Sequence, residues 1–163
     1  MVNIIKIKDI PSVADSIVQM HQQYFCQQLG WGTEFKGAVK KYINSLFSEF
    51  QADREGLWVA KEEHKVIGSI AIDGREADPE NARLRIFVVD QKYQQQGIGT
   101  ALLKTALQHC SKVGYKKVVL WTFDVLAGAR HLYLKNGFKC TQERSRVYWG
   151  HNLTEQLFTL ELS

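Results

Sequence analysis

Hydrophobic residues recur at two spacings along this chain, and the order in which the spacings alternate predicts its elements. The apolar run "NIIKI" near the start reads as a short strand. Pro11 and Ser12 open a helix, with Ser12 and Asp15 at capping-box spacing. Val13, Ile17, Met20, Tyr24 and Leu29 form its apolar stripe, and Gly30 ends it. Beyond "GWGTEFKG", residues Phe35, Val39, Ile43, Leu46, Phe47 and Phe50 fall at helical spacing and predict a second helix. The period then switches. "LWVA", the turn-like "KEEHK" and "VIGSIAI" predict an antiparallel hairpin from their β-branched and aromatic content. The polar stretch from Asp73 to Asn81 contains Pro79 and reads as a loop, and "LRIFVV" reads as the next strand.

In the second half, Leu102, Leu103, Ala106, Leu107 and Cys110 share one helical face, with Gly114 placed to cap the helix. "KVVLW" has the near-continuous apolar character of a central buried strand. Residues 126–135 form a short helix ended by Asn136 and Gly137. "FKCTQE", "RVYW" and "QLFTLEL" supply late strands, the last alternating through Phe158, Leu160 and Leu162. This order predicts an α/β (α+β) domain with a mixed central β-sheet flanked by helices.

Length and composition narrow the class. At 163 residues, with no repeat, low-complexity tract or Gly/Ser linker, the chain fits one domain spanning 1–163. No run approaches 18 consecutive apolar residues, so a membrane helix is not expected. The N-terminus lacks the basic start and long apolar run of a signal peptide. Cys26, Cys110 and Cys140 are odd in number and show no C-x-x-C spacing, which points to a reducing, cytoplasmic setting and away from a thiol nucleophile. The net charge of +4 is spread along the chain and forms no nucleic-acid-binding stripe. The five histidines form no cluster of metal-binding type, so no metal is expected, and His131 and Tyr133, two apart on a helix, point in different directions.

Chemistry enters at "QQQGIGT", between a predicted strand and a predicted helix. Glycines let a backbone approach a ligand closely, and the N–H groups and dipole at a helix start favour an anion. A dinucleotide fingerprint needs a third small residue, where this chain has Leu102, and nothing here matches the G-x-x-x-x-G-K-[ST] of a P-loop. The pyrophosphate loop of an acetyl-coenzyme A site, Q/R-x-x-G-x-G/A, is matched at every defined position by Gln94, Gln95, Gln96, Gly97, Ile98 and Gly99.

From "ARLRIFVVDQKYQQQGIGTALL" through "VVLWTFDVLAGARHLYLKNGF" the chain resembles the GNAT superfamily of N-acetyltransferases, and the element order is similar over nearly the whole chain. The pattern "LWTF…A..LY…GF" is similar to the acetyltransferase domains found fused behind winged-helix regulators. The resemblance implies acetyl-CoA as co-substrate and a sheet whose two parallel strands splay into a wedge. Backbone groups of Phe87, Val88 and Val89 would pair with the pantetheine arm, and a backbone N–H near Val89 would polarise the thioester carbonyl. Gln94 would begin the motif, and amides of Gln95, Gln96, Gly97, Ile98, Gly99 and Thr100 would hold the pyrophosphate. Tyr133, in "HLYLKNGF", would protonate the departing thiolate.

Two positions depart from the family pattern. Leu126 stands where many members carry an asparagine that binds pantetheine, and Ala82-Arg83-Leu84-Arg85 contains no carboxylate where some carry a glutamate base. Glu34, in "WGTEF", is a candidate base or else a surface residue or helix cap, while Trp31 and Trp121 are pocket walls or core. The resemblance implies direct acetyl transfer to a primary amine of a small molecule or peptide. A CoA-binding module without chemistry is the alternative, and a homodimer through the late strands is open. Arg83 and Arg85 hint at a carboxylate-bearing amine, though strand alternation could put both in solvent.

Overall fold

The computed structural model describes residues 1–30, 33–148 and 150–162; the side chains of residues 27–29 and 33–36 fall outside the description. Among the described residues the strands are β1 (Val2–Lys6), β2 (Gly56–Glu62), β3 (Lys65–Asp73), β4 (Asn81–Val89), β5 (Lys117–Phe123), β6 (Lys139–Tyr148) and β7 (His151–Glu161). They form one mixed sheet in the order β1-β2-β3-β4-β5-β7-β6. The helices are α1 (Pro11–Leu29), α2 (Thr33–Ser48), α3 (Ile98–Val113) and α4 (Ala127–Lys135).

The helices cover the sheet from both sides, which explains the unbroken burial of β2 and β3. Leu57 and Val59 join Ile17, Ile43 and Leu46 beneath α1 and α2. Trp58, Ile70 and Ile72 join Leu102, Leu103 and Phe158 on the opposite face, under α3. Residues of opposite strand parity are thus both inside, so an apolar run rather than an alternation specifies these strands.

Local signals set most boundaries. Gly30 and Gly114 end α1 and α3 in the left-handed conformation, at φ 70° and 101°, and each donates its N–H back to the helix, to Cys26 and Cys110. The expected capping box does not form. Ile10 is the N-cap, Pro11 begins the helix, and the Ser12 hydroxyl donates to the Asp9 carbonyl at 2.6 Å. Phe47 is half exposed because its neighbour Leu46 takes the buried position one helical step away, and Phe50 lies past the end of α2. The two stretches predicted as separate strands in "FKCTQE" and "RVYW" merge into one long strand, β6, paired with β7 from Lys139 to Tyr148, and Trp149 lies outside the described residues.

β5 also departs from expectation. It is central, but only Val118, Leu120 and Thr122 are buried, while Val119 and Trp121 are half-buried. α1 and α2 pack over β2–β4 and leave that side of β5 as an open wall.

Candidate active site in the wedge between two parallel strands

β4 and β5 run parallel, yet they pair only through Asn81↔Lys117, Ala82↔Val118 and Arg83↔Val119. β4 keeps its other neighbour, β3, as far as Val89. From residue 84 to 89, one edge of β4 therefore faces a gap. Such an edge carries unpaired N–H and C=O groups suited to an extended ligand.

A bulge in β4 shapes the gap. Ser69 pairs with Val88 and Ala71 with Arg85, so Ile86 and Phe87 together oppose Ile70. Ile86 adopts φ 45°, a strained value for a β-branched residue. The buried Ser69 hydroxyl donates to the Ile86 carbonyl at 2.7 Å and holds this geometry. The bulge also resets side-chain alternation. Ala82 and Leu84 point into the α3 core, whereas Ile86 and Val88 join the α1/α2 core.

Past the bulge, the Asp90 N–H donates to the Ile67 carbonyl of β3 at 2.8 Å. Two-residue alternation then aims the backbone groups of Val88 at β3 as well. Val89, with Phe87, faces the gap instead. On this alternation the cleft wall takes the Val88 side chain, and the open backbone edge belongs to Phe87 and Val89.

The glycine loop closes one end of the gap. Gln95 and Gly97 have φ 63° and 82°, and Gly97 is the N-cap of α3. The first amides of α3 have no acceptor within the helix and converge there. A Cβ at Gly97 would meet nothing within 4 Å, and one at Gly99 would lie 3.6 Å from Leu132 and 3.7 Å from Phe87. The Gln94 side chain donates to the Val89 carbonyl at 3.1 Å, tying the loop to the end of β4. Gln96 points outward, within 3.5 Å of the Lys92 carbonyl, and Ile98 points into the core, so these two offer only backbone to a ligand.

A cleft of about 650 Å³ passes through the gap and is lined from both sides of the sheet. Gln95, Gly97, Gly99, Thr100 and Tyr133 line it from the α3/α4 side; His21, Tyr24 and Tyr42 line it from α1 and α2. Trp121 forms part of its wall, its ring covered at 3.9 Å by the Arg144 guanidinium. Leu126, buried, lines it where the family asparagine would stand. No carboxylate is among the described lining residues.

Tyr133 is 5% exposed, on the face of α4 that packs against the sheet. Its ring lies 5.6 to 6.1 Å from those of Phe138, Phe158 and Phe87. Its hydroxyl makes no hydrogen bond among the described residues. Burial, with a smaller push from Tyr24, raises its pKa well above the ordinary phenol value, so it stays protonated at neutral pH. His131 points away from Tyr133, as their spacing predicts: it is exposed where Tyr133 is buried, and it lines the cleft from the rim.

His21, Tyr24 and Tyr42 are cleft residues that sequence reasoning missed, because the stripe spacing of α1 and α2 marks burial and not proximity to the gap. The buried His21 Nδ1 donates to the Ile17 carbonyl at 2.8 Å. A carbonyl only accepts, so the ring is the tautomer with a free Nε2 lone pair. Burial, against the Ile17 bond, pushes its pKa down to about 4 and keeps it neutral. Of the other predictions, Trp31 and the Glu34 side chain lie outside the described residues. None of the cysteines lines the cleft, and burial pushes the Cys110 thiol up to about 12. No group of potential metal ligands occurs among the described residues, and no described helix is long and apolar enough to cross a membrane.

The fold recurs in solved structures. Over its whole length the fold is similar to an N-acetyltransferase from Staphylococcus aureus Mu50, at TM-score 0.82 and 17% identity over 99% of that chain. It is also similar to yncA from Salmonella typhimurium, described with its cofactor acetyl-CoA, at TM-score 0.80 and 16% identity over 95% of that chain. In sequence, 121 residues are 32% identical to human N-acetyltransferase 8, covering 72% of this chain and 50% of that protein. A further 104-residue match, 36% identical, is to N-acetylaspartate synthetase of Xenopus tropicalis, covering 62% of this chain and 38% of that one. The chain thus spans about half the length, or less, of these two relatives. Residues 17–138 match the model of the acetyltransferase (GNAT) family, and the chain belongs to that family.

Proposed function

We propose that this chain is an acetyl-CoA-dependent N-acetyltransferase that moves an acetyl group directly to a primary amine of a small molecule or peptide. The observation that carries this reading is the gap itself: β4 loses β5 after Arg83, and the glycine loop opens α3 at the gap's far end. The site fits the cofactor. Residues 95–100 provide convergent amides for a pyrophosphate, and Gly97 and Gly99 leave room for it. The free edge at Phe87 and Val89 suits the amides of a pantetheine arm, and Leu126 gives that arm an apolar contact in place of an asparagine. When bound, acetyl-CoA supplies an activated acetyl thioester.

The chain's own groups divide the remaining work. The Val89 N–H is the single donor that polarises the thioester carbonyl. Tyr133, a neutral acid in an apolar setting, hands its proton to the departing thiolate. The acceptor amine enters from the α1/α2 side and attacks within a ternary complex, its proton leaving to water. No covalent acyl-enzyme is part of the scheme, in keeping with cysteines that lie away from the cleft. The three free cysteines suit a cytoplasmic setting. The likeness to domains carried behind winged-helix regulators rests on the "LWTF…A..LY…GF" pattern alone. A homodimer would use β6, which ends the sheet order.

Calorimetry with CoA, followed by an acetyl-CoA thiol-release screen over an amine library, tests the proposal. CoA binding with amine-dependent thiol release is expected. CoA binding without release for any amine would leave only a binding module, and tight NAD binding without CoA binding would overturn the reading.

A further inference from the structure

The α1/α2 mouth of the cleft holds two guanidinium groups with unused hydrogen-bonding capacity. Arg83 and Arg85 both line it, on the same side of β4 because they precede the bulge. Arg85 is fixed in place, its guanidinium stacked 3.9 Å over the Tyr42 ring. The nearest carboxylate to Arg85 is Asp73, and Asp73 is saturated. Its Oδ1 accepts from the Arg75 backbone N–H at 2.9 Å and from Arg75 Nε at 3.0 Å. Its Oδ2 accepts from Arg75 Nη2 at 3.0 Å and from the Tyr42 hydroxyl at 2.9 Å. These four bonds fill the acceptor sites of a carboxylate. Arg85 Nη1 is therefore left 3.9 Å away, and Arg83 Nε is 4.0 Å from Glu76. Both are too long for hydrogen bonds. Neither arginine has a hydrogen-bond partner among the described residues.

Charged forks that line a cleft and lack a hydrogen-bond partner suit an anion. Burial works against the charge on Arg85 and lowers its pKa, a cost an arriving anion would relieve. The anion is not the cofactor's pyrophosphate. Arg85 is four residues before Val89, about 13 Å along an extended strand, and the glycine loop lies beyond Val89. It belongs to whatever enters from the α1/α2 side. Each guanidinium presents a planar pair of donors of the kind that a carboxylate accepts bidentately.

We infer that Arg83 and Arg85 select an acceptor that carries a carboxylate on the same molecule as its primary amine, an amino acid or a related amino-carboxylate. The inference rests on the transferase reading and deepens it. It makes the arginines specificity residues at the acceptor end, with no part in the acetyl-transfer step.

The test uses matched acceptors with the full chain. Alanine, aspartate and β-alanine are each compared with the corresponding carboxamide, with ethanolamine phosphate and spermidine as further arms. Thiol release gives kcat/KM, and calorimetry in the presence of CoA gives binding apart from turnover. At least one acid should exceed its amide tenfold or more in both readouts. Arg85→Gln should pull that ratio toward one by raising KM more than it lowers kcat. Arg85→Lys keeps the charge without the fork and should recover part of the ratio, while Arg83→Gln provides an independent arm should the Arg85 site prove essential for folding. Equal use of acids and amides, or a preference for spermidine or ethanolamine phosphate, overturns the inference while leaving the transferase reading intact. Absence of thiol release with every acceptor overturns both.

Discussion

Replacing Tyr133 with phenylalanine separates chemistry from folding more cleanly here than at most buried tyrosines. The change removes one oxygen and leaves the ring, with its neighbours Phe87, Phe138 and Phe158, in place. The hydroxyl has no hydrogen bond among the described residues, so no protein partner is orphaned by its loss. A buried tyrosine that loses a hydrogen bond costs about 1 kcal/mol or more, and that cost is missing at this position. Stability should change by no more than about 0.5 kcal/mol. Catalysis should suffer far more. Loss of a general acid typically costs about 10²–10⁴-fold, which corresponds to roughly 3–5 kcal/mol in the barrier. Chemical denaturation, calorimetric CoA binding and kcat from thiol release at saturating acetyl-CoA measure the three quantities separately. An unchanged midpoint, unchanged CoA affinity and a kcat lowered at least a hundredfold are expected. A kcat within threefold of the parent, with every acceptor that the parent uses, would refute the acid assignment. Because burial raises the Tyr133 pKa, the parent should show no loss of rate from this group below pH 10, the ordinary phenol value.

Further outcomes follow from the same geometry. Ser69→Ala removes the donor that holds the Ile86 carbonyl at 2.7 Å; it should lower stability by about 1–3 kcal/mol and reduce kcat as the bulge relaxes, measured by denaturation and thiol release. Gly97→Ala should cost about 1–2 kcal/mol from backbone strain at φ 82°, read as a lowered denaturation midpoint. Gly99→Ala adds a Cβ at ordinary contact distance from Leu132 and Phe87, so it should leave the midpoint alone and weaken calorimetric CoA binding. His21 is held neutral in the fold, with its pKa moved down from 6.5 to about 4. The unfolded chain takes up that proton first, so stability should be lost as pH falls from about 6.5 to 4, by about 3 kcal/mol. Denaturation of His21→Leu across the same range should lack this component.

Local chemistry alone wrote the element order, both glycine helix ends, the β2–β3 hairpin and the anion loop before α3. Each rests on interactions a few residues apart in the chain: helical or strand periodicity, a residue able to hold positive φ, a run of helix-start amides. The link between "QQQGIGT" and "HLYLKNGF" came from the family resemblance, and residues of both stretches line one cleft. Tertiary structure decided the rest. Where β4 and β5 part company depends on a bulge opposite Ile70, which nothing in "LRIFVV" announces. The bulge sends Val88 back toward β3 and leaves Val89 facing the gap. Strand alternation left two fates open for Arg83 and Arg85, and packing settled it: both face a cleft whose nearby carboxylate is already saturated by Arg75 and Tyr42. His21, Tyr24 and Tyr42 read only as helix residues until α1 and α2 were seen to roof the opening. Periodicity reports which side of an element is buried. What it is buried against, and where a sheet opens, are properties of contacts between residues far apart in sequence.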